Sequence, residues 1–178
     1  AAALAWTVAL VGLLSAILLY PAVSAGTVRH QIEWLPSLGI DFVLRLDGLA
    51  WLFSVLVLGI GALVVLYARY YMSPKDPVPR FFAYLLAFLG AMQGVVMASN
   101  LVQLAIFWEL TSLFSFLLIG YWYNNQLARD GPRMALTVTA ARGLCLLIGA
   151  LIPGHTARSY DIDVVLGGGA ITKAARES

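Results

Sequence analysis

Charged residues are scarce in this chain. Only 11% of its 178 residues are Asp, Glu, Lys or Arg, whereas 61% are hydrophobic and the mean hydropathy is +0.87. A soluble domain typically carries about 25% charged residues, so too little polar surface is present to cover a water-facing globule. The composition therefore excludes an ordinary soluble domain. The net charge of +2 is too small to indicate a nucleic-acid partner.

Cysteine is almost absent as well. Cys145 is the single one, and it lies inside an apolar run. One thiol excludes an intrachain disulfide, a cysteine-rich metal site and a CxxC redox pair. We interpret Cys145 as a small buried hydrophobe. His30 and His155 have no ligand partners at metal-binding spacing, so we expect neither a metal site nor a cofactor.

The sequence contains several long apolar runs. Five stretches approach the ~20 residues that a helix needs to cross a ~30 Å hydrocarbon layer. Helices are the expected form, because a backbone in lipid must satisfy its hydrogen bonds within its own segment. The sequence thus predicts an all-α integral membrane protein in contact with lipid. Its predicted spans are residues 3–23, 48–70, 81–99, 101–122 and 134–152.

The loops between these spans differ in charge. Basic residues lie at and after the end of the second span, from Arg69 to Arg80, and after the fourth span, at Arg129 and Arg133. The positive-inside rule places both of these loops in the cytoplasm. Residue 1 then starts inside, and the tail after residue 152 lies outside.

Small residues indicate how the spans pack. Gly90 and Gly94 form a small-xxx-small pair in the third span beside the polar Gln93, and Gly143 lies among small residues in the fifth. Helices in lipid associate through close backbone approach rather than through hydrophobic burial. The pattern favours a packed helix bundle over lone membrane anchors.

One carboxylate lies where lipid should exclude it. Glu109 is near the middle of the fourth span, and Ser112 and Ser115 extend a polar stripe along the same helix. An ionised carboxylate near the bilayer centre costs roughly 2.5–3.5 kcal/mol on insertion scales. We interpret Glu109 as a protonatable relay or cation-contacting group. The alternative is a glutamate that bonds to a neighbouring helix and only fixes packing.

Two further charged residues lie within a predicted span or directly before one. Arg142 is near the middle of the last span, and its backbone differs in depth from that of Glu109 by roughly 6 Å at 1.5 Å per residue. A guanidinium side chain could bridge that difference, so we hypothesise a buried ion pair. The alternatives are snorkelling of Arg142 towards an interface and an aberrant residue at this position. Asp47 opens the second span, where helix capping is the favoured interpretation over transport.

Several stretches resemble one family of membrane proteins. The most specific is Phe107-Trp108-Glu109-Leu110-Thr111-Ser112-Leu113. Others are Trp34–Gly39, Leu44–Leu49, Leu66–Met72 and Arg80–Tyr84. They resemble the antiporter-like family, which includes the large proton-pumping subunits of respiratory complex I and the A subunit of Mrp-type cation/proton antiporters. Glu-Leu-Thr-Ser after the tryptophan is closer to the Mrp protein than to complex I.

This resemblance implies an N-terminal fragment of a longer polytopic protein, with residues 1–166 forming a partial antiporter-like bundle and 167–178 an unmatched, disordered tail. It implies a component of a Na+/H+ or K+/H+ antiporter in a bacterial cell membrane, working with other subunits and not acting as an enzyme. Glu109 would be the family's fifth-helix glutamate, which works with a lysine on a seventh helix beyond this chain. The alternatives are a proton-pumping subunit of complex I and a truncated remnant that transports nothing.

The hypothesis that Glu109 pairs with Arg142 predicts the outcome of a charge swap. Glu109→Arg combined with Arg142→Glu should restore an attractive pair, whereas each single change leaves two like charges together in lipid. The amount of folded protein in the membrane measures the effect. If the double variant folds no better than either single variant, the pair does not exist.

Overall fold

The computed structural model describes residues 2–35, 40–72, 77–122, 143, 145–152, 154 and 159–167. The elements are α1 (Ala2–Leu18), α2 (Tyr20–Ala25), β1 (Val28–Leu35), β2 (Ile40–Leu46), α3 (Gly48–Tyr71), α4 (Val78–Met97) and α5 (Leu101–Ile119). A short 3-10 turn, Gly120–Trp122, follows α5. Residues 145–152 and 162–167 are also helical.

Four segments in the described part of the chain are long and apolar enough to cross a membrane. They are Ala2–Ala25, which joins α1 and α2, and the helices α3, α4 and α5. The predicted class of helical membrane protein is therefore confirmed. The break between α1 and α2 precedes Pro21, which stands in the first turn of α2 where a missing N–H costs little.

The fifth predicted span is described only in part. Residues 145–152 are helical, and Gly143 is described as well. Residues 134–142, and Arg142 with them, lie outside the described residues. The unmatched tail lies outside them too, apart from Gly167.

A β-hairpin lies between α2 and α3, where the sequence predicts only a loop. Strands β1 and β2 pair antiparallel, with Arg29 opposite Arg45 and Gln31 opposite Val43. Val43 and Leu46 of β2 are buried. The all-α description leaves these two short strands out, because a search for runs of about 20 apolar residues does not register runs of seven or eight.

Ion pairs hold residues 159–167, which follow the fifth predicted span, against this hairpin. Arg29 pairs with Asp161, and its Nη1 lies 3.6 Å from an oxygen of Asp163. Arg45 donates to Asp163 over 2.5 Å. These side chains are partly exposed, and such surface pairs contribute about 0–1 kcal/mol each.

Backbone hydrogen bonds fix the same segment to the connection between α4 and α5. The N–H of Leu101 donates to the C=O of Tyr160 over 2.8 Å, and that of Ile162 donates to the C=O of Ser99 over 2.9 Å. We call this face of the molecule, formed by β1, β2, residues 98–101 and residues 159–163, the hairpin end. There the start of α5 is joined directly to the segment that follows the fifth predicted span.

The core between α1, α3 and α4 is built from small residues and one large ring. Ala5 and Ala9 of α1 meet Val65 and Ala68 of α3, and Phe82 of α4 fills the centre. All five are buried. Short side chains let the helix backbones approach closely, which is how helices pack in lipid.

Helix α4 meets α5 through a glycine and an aromatic ring. A Cβ atom built on Gly94 would overlap the ring of Phe107, whereas one built on Gly90 meets nothing within 4 Å. Phe107 also contacts Phe42 of the hairpin, with ring centroids 6.0 Å apart. Of the two glycines in the small-xxx-small pair, Gly94 makes the contact with α5 and Gly90 is exposed.

The interpretation of Cys145 as a buried side chain is wrong, because Cys145 is exposed. It follows Gly143 by two residues, a rotation of about 200° around a helix. Gly143 is buried towards α5, so Cys145 lies on the opposite side of its segment. Apolar neighbours along the sequence did not reveal which side faces the bundle.

The two glycines of α4 provide a matched prediction. Gly94→Ala should destabilise the protein by about 1–3 kcal/mol, the usual cost of overpacking a core, because the aromatic ring cannot fold away from the new methyl group. Gly90→Ala should leave stability unchanged or slightly higher, because alanine has the better helix propensity. Thermal unfolding in detergent measures both. Equal effects of the two substitutions would contradict this account of the α4–α5 contact.

Candidate functional site

Asn100 starts α5 and thereby sets the position of every residue along it. Its side chain accepts hydrogen bonds from the N–H groups of Val102, at 2.9 Å, and Gln103, at 3.4 Å. An asparagine cap satisfies donors that have no partner inside the helix. Glu109 comes eight residues after Leu101, so it lies about 12 Å from Leu101 along the axis, near the middle of the helix.

The Glu109 carboxyl group packs against the backbone of the fifth predicted span. A Cβ atom built on Gly143 would overlap three atoms of Glu109, namely Oε1, Cδ and Oε2. Oε1 is buried and has no hydrogen-bond partner among the described residues. The structure therefore brings α5 and the fifth predicted span together at the carboxyl group itself.

The hydroxyl groups near Glu109 bond to the helix backbone. Ser112 Oγ donates to the C=O of Trp108 over 3.2 Å, and Thr111 Oγ1 donates to the same carbonyl over 2.7 Å. Ser115 is half-buried one turn further on. Ser112 and Ser115 thus continue the polar side of α5, but the described hydrogen bond of Ser112 goes to Trp108 and not to Glu109.

Arg142, the proposed partner of Glu109, lies outside the described residues, so its pairing stays a prediction. Its neighbour Gly143 does contact the Glu109 carboxyl group. The close approach of the two helices that the pairing hypothesis requires is therefore present.

Sequence reasoning missed Gln103. This residue is 3% exposed, and its Oε1 accepts a hydrogen bond of 2.9 Å from the N–H of Val43 in the hairpin. It ties the first turn of α5 to β2. The sequence does show an amide side chain inside an apolar span. Its partner is 60 residues away in the sequence, so a local sequence pattern could not predict the hydrogen bond.

Asp47 is placed at the hairpin end, as the N-cap of α3. It accepts a hydrogen bond of 2.8 Å from the N–H of Ala50, and Arg45 Nη2 donates to its other oxygen over 2.9 Å. The Ala50 N–H lowers the pKa of Asp47 below its ordinary value, and the charge and hydrogen bond of Arg45 act in the same direction. These contacts describe a helix cap, well away from Glu109.

A cavity of about 210 Å³ opens beside this cap. Arg45, Asp47, Phe53 and Ser99 are among the residues that line it. Glu109 is not among them, so the cavity belongs to the hairpin end. Within the part of the chain that the structure describes, no three His, Cys, Asp or Glu side chains are grouped as a metal site.

The fold and the site define a class of protein. Several apolar helices are long enough to cross a membrane, and one of them carries an ionisable group near its middle, packed against a neighbouring helical segment. In membrane proteins such intramembrane carboxylates mark ion pathways and proton relays. The class is therefore a polytopic membrane protein with an acidic residue inside one of its spans.

Comparison with known proteins narrows this class. A family model described as NADH-Ubiquinone oxidoreductase (complex I), chain 5 N-terminus, matches residues 34–82. A second, described as NADH:quinone oxidoreductase/Mrp antiporter, TM, matches residues 98–163. The second match includes Glu109 and Gly143.

Individual relatives agree with these matches. The chain is 56% identical, over 94% of its length, to the A/B subunit of a probable K(+)/H(+) antiporter of Rhizobium meliloti. It is 46% identical, over 71% of its length, to the A subunit of the Na(+)/H(+) antiporter of Alkalihalophilus pseudofirmus. Among solved structures, the Mrp complex from Dietzia sp. matches 91% of the chain with a TM-score of 0.82 and 31% identity.

The chain belongs to the antiporter-like family that complex I and Mrp antiporters share, on the branch of the Mrp A subunit. It covers 17% of the Rhizobium relative, 16% of the Alkalihalophilus relative and 18% of the matching Dietzia chain. It therefore spans less than a fifth of these proteins. The two named relatives are antiporter subunits and not enzymes.

The cap geometry predicts a pH-dependent effect of Asp47→Ala. Because the folded-state pKa of Asp47 is lowered, its ionised form stabilises the fold above the ordinary value of about 4, and this contribution disappears as the pH falls through the folded-state pKa. Asp47→Ala should therefore cost about 0.5–2 kcal/mol near neutral pH, and progressively less in acid.

Thermal unfolding in detergent at a series of pH values measures this effect. Asp47→Asn is the matched control, because asparagine keeps a capping oxygen and loses only the charge. It should lie between the wild type and Asp47→Ala. A cost of Asp47→Ala that is independent of pH would show that the ionised carboxylate contributes nothing to the cap.

Proposed function

We propose that this chain is part of the A subunit of a cation/proton antiporter in a bacterial cell membrane, and that Glu109 takes up and releases the transported proton. The antiporter exchanges a monovalent cation, Na+ or K+, for protons and works with other subunits. The observation that carries the proposal is the Glu109 carboxyl group, which lies near the middle of a membrane helix with Oε1 buried and without a partner among the described residues.

A carboxyl group in this position suits reversible proton binding. An approaching positive charge favours the ionised form of a carboxyl group, and its retreat favours the protonated form. A carboxyl group whose hydrogen bonds were all satisfied by fixed donors would instead be held in one state. The family resemblance assigns the moving cation to a lysine on a helix beyond this chain. Within the chain, Arg142 is the candidate that the sequence offers, because it directly precedes Gly143.

The names of the relatives support an antiporter but differ in the cation. The relative with 56% identity is named for K+ and the one with 46% identity for Na+. Both names are those of subunits, which supports assembly with further chains. The exchange assay therefore needs to offer both cations.

Glu109→Gln tests the proposal in the full-length protein within its complex. Glutamine has nearly the same size and cannot ionise, so proton exchange should stop while the helix packing remains. Exchange is measured in everted membrane vesicles as the collapse of a pH gradient on addition of Na+ or K+. We expect activity at the level of vesicles without the antiporter, with unchanged assembly on native gels.

Two matched variants accompany this experiment. Asp41→Asn removes a carboxylate from the hairpin, where Asp41 accepts a hydrogen bond from Gln31, and should leave exchange intact. Glu109→Asp keeps the ionisable group and should retain part of the activity. Wild-type exchange by Glu109→Gln would rule Glu109 out as the proton carrier. Loss of assembly in that variant would instead support the alternative in which Glu109 fixes packing.

A further inference from the structure

We propose that Gly143 is the positioning residue for Glu109, because the bare backbone of the fifth predicted span at Gly143 forms a seat for the carboxyl group. The inference rests on the proposed function only in assuming that the proton is carried by Glu109. It adds a residue whose role is to fix where that carboxyl group lies.

The contact involves the reactive end of the side chain. The three atoms nearest to a Cβ built on Gly143 are all in the Glu109 carboxyl group, and Gly143 is buried. Any other residue at this position would place a carbon atom where the carboxyl group now lies. The absence of a side chain at position 143 therefore determines the space that the carboxyl group occupies.

Helix α5 cannot relieve such a clash by rotating as a whole. Phe107 precedes Glu109 by two residues, so its side chain points about 200° away, and there its ring lies over Gly94 of α4. Helix α5 is thus held on two opposite sides, by Phe107 packed on Gly94 and by Glu109 packed on Gly143. With α5 held in this way, the flexible Glu109 side chain is the part of the contact that moves most easily to make room for a methyl group at position 143.

The two glycine contacts differ in how they respond to a new methyl group. The ring of Phe107 is rigid, so a substitution at Gly94 strains the helix packing. The Glu109 carboxyl group is the far end of a flexible side chain, and it can leave its seat by changing rotamer. Substitution at Gly143 should therefore displace the carboxyl group while the fold persists. A displacement of about 1 Å can cost a site about a hundredfold in rate.

The experiment uses the full-length protein in its assembled complex. Gly143→Ala should lower the exchange rate at least about tenfold, equivalent to about 1.4 kcal/mol, with unchanged assembly and Tm. Gly149→Ala is the matched control, because a Cβ at this exposed glycine in the same segment meets nothing within 4 Å. It should exchange at the wild-type rate.

Shortening the acid tests whether the effect passes through the carboxyl group. Aspartate is one methylene shorter than glutamate and leaves room for a methyl group at position 143. The double variant Gly143→Ala with Glu109→Asp should therefore be more active than Gly143→Ala alone. Wild-type exchange by Gly143→Ala would overturn the proposal, and so would a loss of activity that Glu109→Asp fails to relieve.

A second measurement does not depend on transport. Infrared difference spectra of the complex on a change of pH contain the carboxyl and carboxylate stretches of Glu109, identified as the bands missing in Glu109→Gln. Gly143→Ala should shift these bands, and Gly149→Ala should not. An unshifted spectrum would refute the seat even if Glu109 carries the proton. A shifted spectrum would support it even if Glu109→Gln still exchanges ions.

Discussion

A carboxyl group placed in hydrocarbon has to be enclosed by protein, and at Glu109 part of that enclosure is the bare backbone of Gly143. The cost of exposing such a group to lipid makes this contact a constraint on the whole arrangement. The fifth predicted span must lie close enough to α5 to cover the carboxyl group. A side chain at position 143 would take the space that the carboxyl group now occupies, so a single glycine determines where that group can lie.

The same constraint extends to α4 on the other side of α5. Because Phe107 and Glu109 point in nearly opposite directions, α5 is held between two neighbours, each of which presents a glycine. Gln103 adds a polar contact from the first turn of α5 to the hairpin. The position of Glu109 thus follows from packing on three sides, and the cap at Asn100 sets where the helix starts.

The sequence was sufficient for the parts of the fold that depend on local composition. Apolar runs locate the membrane helices, and Glu109 is a candidate site residue because it is a single acid within such a run. Contacts between segments that are distant in the sequence could not be predicted from it. The hairpin strands are too short for a search by span length, Gln103 bonds to a residue 60 positions away, and the exposed side of Cys145 depends on where α5 lies. Gly143 was noted as a small residue for helix packing, but its contact with the acid appears only in three dimensions.

The hairpin end limits how the site can change state. The start of α5 is bonded to Tyr160 through Leu101, and Asn100 forms a further backbone bridge with Asp161, so α5 and the segment after the fifth predicted span are joined there. They also meet near the middle of the membrane, at Glu109 and Gly143. Sliding one helix past the other would break backbone hydrogen bonds and uncover a carboxyl group in lipid, and both changes are costly. Proton exchange at Glu109, as proposed, therefore has to depend on motion of the side chain or of a nearby cation, with the two helix backbones staying in register.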